Sequence, residues 1–489
     1  MTEPAAQPKP AKPSDAPNCL RDAGTRHGVG PTAGLRHLIA PSIWPLADQA
    51  MVSAANFLIT ALIARGLGVY EFGLFTLAWA VVLFAGAVQY TLVSAPMFTM
   101  APRHDRAAQA GYFGALAMQG VAFAALASVV ILAGARAGAL VFKDWPLSPY
   151  AFALAAAAVA YLAQEFVRRC LFARGRQRVA LVSDTICYLG QIALLLVAFR
   201  YGVQLEGVLW ICTLTFALAA AAGLAAIGSV EFRARQFCEA LRQHWSFSLW
   251  LLASMLAQWV WSYTLLLASG AMLGVAAVGG MRAAWLVLAI NNVLLLGQQN
   301  FLPTRAAEVL HRDGRPAFKS LMQRWTLLGL GITLAISLIA VAAPAFWIKL
   351  FCGEAMLPYA NLVYGYAISF PLAYASAMAG VFLRTDDATQ RIFKASMVMT
   401  ALGVASAYPL IATLGIWGAV TGTILCQIAG LAVMTSGATW MFARPSVVAQ
   451  YNLPAASIVG ERAVPPPSGS LRPEQPTVEG PSGRPTILS

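Results

Sequence analysis

Arg282 stands in an otherwise apolar run, Val275-Ala-Ala-Val-Gly-Gly-Met-Arg282-Ala-Ala-Trp285. A guanidinium inside a membrane helix costs about 2.5–3.5 kcal/mol on insertion scales, so it faces a polar cavity or a partner. It lies about 12 Å from the start of a helix that begins after Gly274, at 1.5 Å per residue, too deep for easy escape to the interface. Two chemistries suit it: paired hydrogen bonds to an anionic ligand group, or an ion pair with Asp48 or another helix. Asp48 opens a second pattern. Gln49, Ser53, Asn56 and Thr60 follow at steps that place all four on one helical stripe, with Asp48 beside it. The stripe is a polar wall. Asp48 is either a site for coupling to a proton or sodium ion or a carboxylate near a helix N-terminus. Beyond Arg282, Asn291 and Asn292 read as cavity lining, because amides bind hydroxyls or join helices. Gln298, Gln299 and Asn300 read as solvated residues near a cytoplasmic mouth. Glu165 sits three and four residues before Arg168 and Arg169, spacing that favours an intrahelical ion pair. Asp184, near Arg174, Arg176 and Arg178, is expected to neutralise that loop.

The elements that must hold these residues follow from composition. Of 489 residues, 59% are hydrophobic and 11% charged, a ratio that a water-soluble domain cannot hide in one core. Unbroken runs such as 151–161 exclude the alternating ten-residue segments of an outer-membrane barrel. The apolar region from Trp44 to Ala443 accommodates twelve helices of about 20 residues each. They are expected at 42–64, 73–100, 110–134, 148–172, 179–200, 206–229, 246–270, 274–302, 321–347, 356–383, 392–413 and 416–443. Pro and Gly punctuate several boundaries, among them Pro102, Pro149, Gly202, Pro303, Pro358 and Gly415. The seven cysteines are scattered, with no C-x-x-C and no histidine at ligand spacing, so neither a disulfide framework nor a metal site is expected. No cofactor is expected either. The net charge of +13 comes without any nucleic-acid-binding motif around the basic residues, so no nucleic-acid partner is read from it.

Topology accounts for that charge. Loops after the even-numbered spans, with adjoining helix ends, hold eighteen Lys and Arg, against five in the opposite loops. Positive residues stay on the cytoplasmic side, so both termini are expected there. The organisation read from the sequence is a disordered tail at 1–40, a six-helix bundle at 41–230, a cytoplasmic linker at 231–245, a second six-helix bundle at 246–443 and a Pro-rich disordered tail at 444–489.

An internal repeat supports the two bundles. A shift of 206 residues lays Leu67, Gly68, Val69, Gly73, Ala78, Trp79 and Val81 on Leu273, Gly274, Val275, Gly279, Ala284, Trp285 and Val287. Glycines and a tryptophan in register exceed what shared hydrophobicity gives. The fold class is therefore an all-α polytopic membrane protein, about twelve transmembrane helices in two six-helix bundles. Parallel repeats of this kind enclose a central cavity about an axis along the membrane normal.

The stretch Ala64-Arg-Gly-Leu-Gly-Val-Tyr-Glu-Phe-Gly-Leu-Phe-Thr-Leu-Ala, after Asp48-Gln-Ala-Met-Val-Ser-Ala-Ala-Asn56-Phe, resembles the opening of polysaccharide export flippases. These belong to the multidrug, oligosaccharidyl-lipid and polysaccharide exporter superfamily. Further matches are Val278-Gly-Gly-Met-Arg-Ala-Ala, Ala173-Arg-Gly-Arg with Asp184, and Leu414-Gly-Ile-Trp-Gly-Ala-Val-Thr-Gly. The motifs are short, mostly Gly and apolar, and span the membrane region; they point to the superfamily better than to a substrate. The extended tails depart from the minimal family pattern. The resemblance implies a transporter, not an enzyme, that carries a lipid-linked oligosaccharide from the cytoplasmic to the outer leaflet of a bacterial inner membrane by alternating access. Partners would be that substrate, membrane lipid and, in surface polysaccharide biosynthesis, a polymerase and other assembly proteins. Substrate contacts would fall on Arg282, Asn291, Asn292, Asn56, Gln49 and Ser53, with Asp48 for ion coupling, and Arg282 would hold the diphosphate. Two alternatives stand beside it. The same fold could export drugs or metabolites with an ion; or the chain could be a membrane scaffold or a polysaccharide-assembly enzyme, against which count the short loops and the lack of D-x-D, G-x-S-x-G or Walker motifs.

Overall fold

The computed structural model describes residues 31–141 and 145–442. The tails expected at 1–40 and 444–489 fall outside those residues, except that 31–40 form the start of the first helix. The helices are α1 (Pro31–Gln89), α2 (Ala95–Met100), α3 (Arg106–Val141), α4 (Ala151–Ala173), α5 (Gln177–Arg200), α6 (Leu205–Ile227), α7 (Ala234–Leu273), α8 (Val275–Val287), α9 (Asn291–Ala342), α10 (Pro344–Cys352), α11 (Leu362–Thr385), α12 (Thr389–Leu414) and α13 (Ile416–Phe442). Ten helical segments among the described residues are long and apolar enough to cross a membrane. The chain is a multi-pass membrane protein.

Two of these helices each supply two limbs. Gly68, at φ 74° and ψ 179°, divides α1 into limbs 31–67 and 69–89. Gly314, at φ 79° and ψ 178°, divides α9 into limbs 291–313 and 315–342. Positive φ is open to glycine without a Cβ clash. With both divisions, and with α8 continuing into the first limb of α9, the chain has the twelve expected spans. Boundaries differ where proline acts. Pro344 begins α10, so the expected helix 321–347 is split at Ala343. Pro358 lies in a 3₁₀ segment, Glu354–Tyr359, so the next span starts at Leu362 rather than 356. The expected linker 231–245 is largely helical, because α7 begins at Ala234.

The halves repeat in their packing. In the first, α4 lies on α3 and α6, α5 on α6, and the first limb of α1 belongs with α5; in the second, α11 lies on α9 and α13, α12 on α13, and α7 on α12. Gly274, at φ 89° and ψ 170°, copies the backbone of Gly68 at the position the 206-residue shift assigns to it. The halves meet where the second limb of α1 crosses α8. A Cβ added to Gly73 would strike the Val275 carbonyl oxygen, and one added to Gly279 would strike the Val69 carbonyl oxygen. The reciprocity is that of a two-fold axis passing between them.

Apolar packing then divides the molecule by height. One core cluster draws on both halves and includes Ile63, Phe72, Val82, Leu209, Met281, Ile348, Val363 and Val420. Toward the arginine-rich loops it gives way to two. One holds Met97, Phe113, Leu116 and Leu171 of the first half, the other Leu302, Phe318, Tyr374 and Leu383 of the second. The halves are thus fused at the Gly68–Gly274 end and separately packed at the other. Arg65 adds to the fused end by donating from Nη1 to the Leu350 carbonyl at 2.6 Å.

Where α7 enters, it lies on α3. The Glu231 N–H donates to the Ala110 carbonyl at 3.0 Å, and the Tyr112 hydroxyl meets His244 Nε2 at 3.0 Å. His104 stacks on Tyr112 with centroids 4.3 Å apart. Burial, with His104 nearby, lowers the His244 pKa from 6.5 to about 4.

Two predictions come from this packing. Gly73→Ala and Gly279→Ala each force backbone apart and should cost about 1–3 kcal/mol, read as a lower melting temperature in detergent; an unchanged melt for both would remove the crossing from its place as the joint. Because the unfolded chain takes up a proton on His244 before the folded chain does, that contribution to stability is full above pH 6.5 and declines toward pH 4. Hydrogen exchange in 234–248 should accelerate across that window in wild type and lose this pH dependence in His244→Phe.

Candidate functional site

Between the first limb of α1 and the α8–α9 unit lies a cavity of about 890 Å³, lined also by the second limb of α9 and by α10. The stripe on α1 faces it: Gln49, Ser53, Asn56 and Thr60 all line the cavity. Helical period places them there, and Val52, Ala55 and Ile59 between them are buried behind. Gln49 Nε2 donates to Ser53 Oγ at 3.4 Å, while Asn56 is exposed. Opposite them stand Arg282 and Asn292. Apolar side chains supply most of the remaining wall, including Phe57, Ile290, Val293, Ile336, Trp347 and Phe351.

Arg282 is half-buried and makes no ion pair or hydrogen bond among the described residues. Its guanidinium lies over the Trp285 ring, 4.2 Å from the centroid, a contact worth about 0.5–2 kcal/mol depending on desolvation. Trp285 is three residues on, which places it on the same helical face. The guanidinium donors therefore remain free for an anionic group entering the cavity.

Helix geometry changes just below. From Leu288 to Val293 the backbone bonds run three residues back: Leu288 to Trp285, Ala289 to Leu286, Asn291 to Leu288, Asn292 to Ala289 and Val293 to Ile290, at 2.9–3.2 Å. Such a tightened turn shifts the phase of the side chains that follow. Asn292 faces the cavity, but Asn291 does not: it is 1% exposed and donates from Nδ2 to the Leu288 carbonyl at 3.1 Å. Its Oδ1 has no partner among the described residues. Gln298 is buried, contrary to the solvated position expected for it.

Asp48 is elsewhere. It does not meet Arg282 but joins a buried cluster among α1, α4 and α5. Arg168 Nη2 donates to Asp48 Oδ2 at 2.5 Å and Arg168 Nε to Asp184 Oδ2 at 2.5 Å. Gln164 Nε2 donates to Asp184 Oδ1 at 2.7 Å. Glu165 pairs with Arg169 at 2.5 Å, as the spacing predicts, and lies 4.0 Å from Arg168; Arg169 in turn covers the Tyr90 ring at 4.4 Å. Asp184 does not neutralise the loop expected for it. Arg174 instead donates to the Ile227 and Ser229 carbonyls and Arg176 to the Ala226 carbonyl, which satisfies the C-terminal end of α6. Sequence spacing carries the intrahelical pair but not these contacts, which join residues 120 apart (Asp48 to Arg168).

Comparison with known proteins adds the fold. No protein-family model and no curated protein matches the chain. Among solved structures, an inward-facing multidrug resistance MATE family transporter of the MOP superfamily is similar, with TM-score 0.63, 15% identity, and 83% of this chain and 96% of that one covered. An outward-facing MATE family transporter has TM-score 0.56 at 15% identity, covering 82% and 94%. The lipid II flippase MurJ, in an inward closed conformation, has TM-score 0.57 at 12% identity, covering 82% and 87%. The shared property at such identities is the fold.

Asp48 and Asp184 side chains are 1% and 0% exposed and share one guanidinium. Arg168→Ala should therefore destabilise the protein by about 3–5 kcal/mol, since it strands buried carboxylates. A denaturation series should show much of that loss recovered when Asp48→Asn and Asp184→Asn are added to Arg168→Ala; failure to recover would assign the effect to packing of the Arg168 stem.

Proposed function

We propose that this chain translocates a polyprenyl-diphosphate-linked oligosaccharide from the inner to the outer leaflet of a bacterial cytoplasmic membrane, for surface polysaccharide biosynthesis. The observation that carries the reading is one cavity with two chemistries. Unpaired Arg282 and the polar stripe of α1 face it, while its rim includes Leu58, Ile290, Val293 and Ile339, all exposed at the lipid-facing surface. A soluble cargo has no use for such a rim; a lipid chain can lie along it while its diphosphate meets the guanidinium. Gln49, Ser53, Asn56 and Asn292 supply hydrogen bonds to the headgroup or first sugar.

The distribution of cores supports the cycle. With the halves fused at the Gly68–Gly274 end and separate at the arginine-rich end, the molecule is in an inward-facing state, its Lys- and Arg-rich loops and both termini in the cytoplasm. Rocking of the two bundles, 41–230 and 246–443, about the α1–α8 crossing then gives alternating access. Outward movement of an anionic headgroup across an inside-negative potential is favoured by about 2.3 kcal/mol per charge per 100 mV. A polymerase and other assembly proteins would receive the product.

A second reading, ion-coupled export of drugs or metabolites, is favoured by one observation. Asp48 Oδ1 is buried with no partner among the described residues, beside a second carboxylate that shares the same Arg168. The two readings separate in vesicles containing the full chain. A fluorescent lipid-diphosphate oligosaccharide should cross in wild type, driven by an imposed potential without a sodium or proton gradient. Arg282→Ala should weaken it by about 1.5–3 kcal/mol of lost charged hydrogen bonds, roughly ten- to a hundred-fold in apparent affinity, with partial rescue in Arg282→Lys. No movement of such a lipid, alongside gradient-dependent efflux of small cations, would transfer the assignment to the second reading.

A further inference from the structure

A second groove, of about 200 Å³, lies where the start of α7 crosses α3 and the turn after α1. Its walls are apolar, with Leu92, Phe123, Leu126 and Leu241, but two side chains in it are polar and buried: His244 and Ser248, each 1% exposed. Neither completes its hydrogen bonding. Ser248 Oγ has no partner among the described residues, and neither has His244 Nδ1, which the Leu92 carbonyl approaches outside hydrogen-bonding geometry. Buried polar atoms of native proteins are satisfied as a rule, so two orphans in one groove point to a polar group that enters it.

What can enter is set by the surroundings. The groove runs onto the lipid-facing side of α3, where Val121, Leu126, Val129 and Val130 are 70%, 59%, 62% and 59% exposed. Trp245 at its edge is exposed as well, the position of an interfacial aromatic. Arg242, one turn earlier on α7, is exposed and makes no ion pair among the described residues. An apolar channel continuous with the lipid surface, two unsatisfied polar atoms within it and a free cation at the rim match one chemical class.

We propose that this groove binds one anionic phospholipid, an acyl chain along Phe123 and Leu126, ester oxygens at Ser248 Oγ and His244, and the phosphate at Arg242. Its neighbours make the site consequential. It is built from the first half on one wall and from the connection into the second half on the other, so a bound lipid holds α7 against α3 in the state where the arginine-rich end is open. The proposal is independent of the cargo carried by the main cavity.

The test is native mass spectrometry of the full chain purified in detergent, titrated with dioleoyl phosphatidylglycerol or dioleoyl phosphatidylcholine. Wild type should retain one phosphatidylglycerol in preference to phosphatidylcholine. Leu126→Trp, which fills the groove from its lipid side, and Ser248→Ala should each reduce retention, the former by about ten-fold, and Arg242→Gln should abolish the preference between lipids. Melting without added lipid checks folding, and where Leu126→Trp melts early, Ser248→Ala decides. Retention by Leu126→Trp and Ser248→Ala equal to wild type, or equal retention of both lipids by wild type, overturns the proposal.

Discussion

Backbone contact between the second limb of α1 and α8 is the constraint on which the architecture rests. Two helices approach so closely only where side chains are missing, and here Gly73 and Gly279 each face the partner's carbonyl oxygen. In a bilayer, where lipid tails compete equally for apolar surface, close packing of small residues is a principal source of helix association. The contact is small in area and symmetric, and it lies at one end of the molecule. Everything beyond it, toward the arginine-rich loops, belongs to one half or the other. A joint of that form permits a change of angle with little repacking, because the two distal cores move as units.

Polar groups are placed by the same economy. In hydrocarbon an unpaired charge is expensive, and the first half meets that demand internally: Arg168 is held by Asp48 and Asp184, and Arg169 by Glu165 and the Tyr90 ring. These contacts tie α1, α4 and α5 into a rigid wall. Arg282 in the second half has no such resolution; only an aromatic face receives it. The contrast identifies one arginine as structural and the other as available, although both stand in apolar helices.

Much of this was legible in the sequence, for physical reasons that also mark where it stopped. Spans and repeat were readable because hydrophobic length and glycine register are local properties, and Gly68 and Gly274 show the same backbone. The α1 stripe was readable because a helical period puts Gln49, Ser53, Asn56 and Thr60 on one face whatever the neighbours. Contacts across the fold were not. Asp184 is nearer in sequence to three loop arginines than to Arg168, yet packing of α4 on α5 chose Arg168. The tightened turn at 288–290 has no glycine or proline to announce it, and it alone separates Asn292, in the cavity, from Asn291, outside it. Trp285 as partner to Arg282 was available from three-residue spacing and went unread.

The repeat gives a last consequence. Under the 206-residue shift, Arg282 falls on Thr76, which is buried and spends its hydroxyl on the Phe72 carbonyl at 2.8 Å. Two-fold geometry supplies the scaffold with two equivalent seams between its halves, and only one of them carries a cation. Backbone symmetry is therefore broken by a single side-chain charge, and the molecule acquires a front and a back within the plane of the membrane.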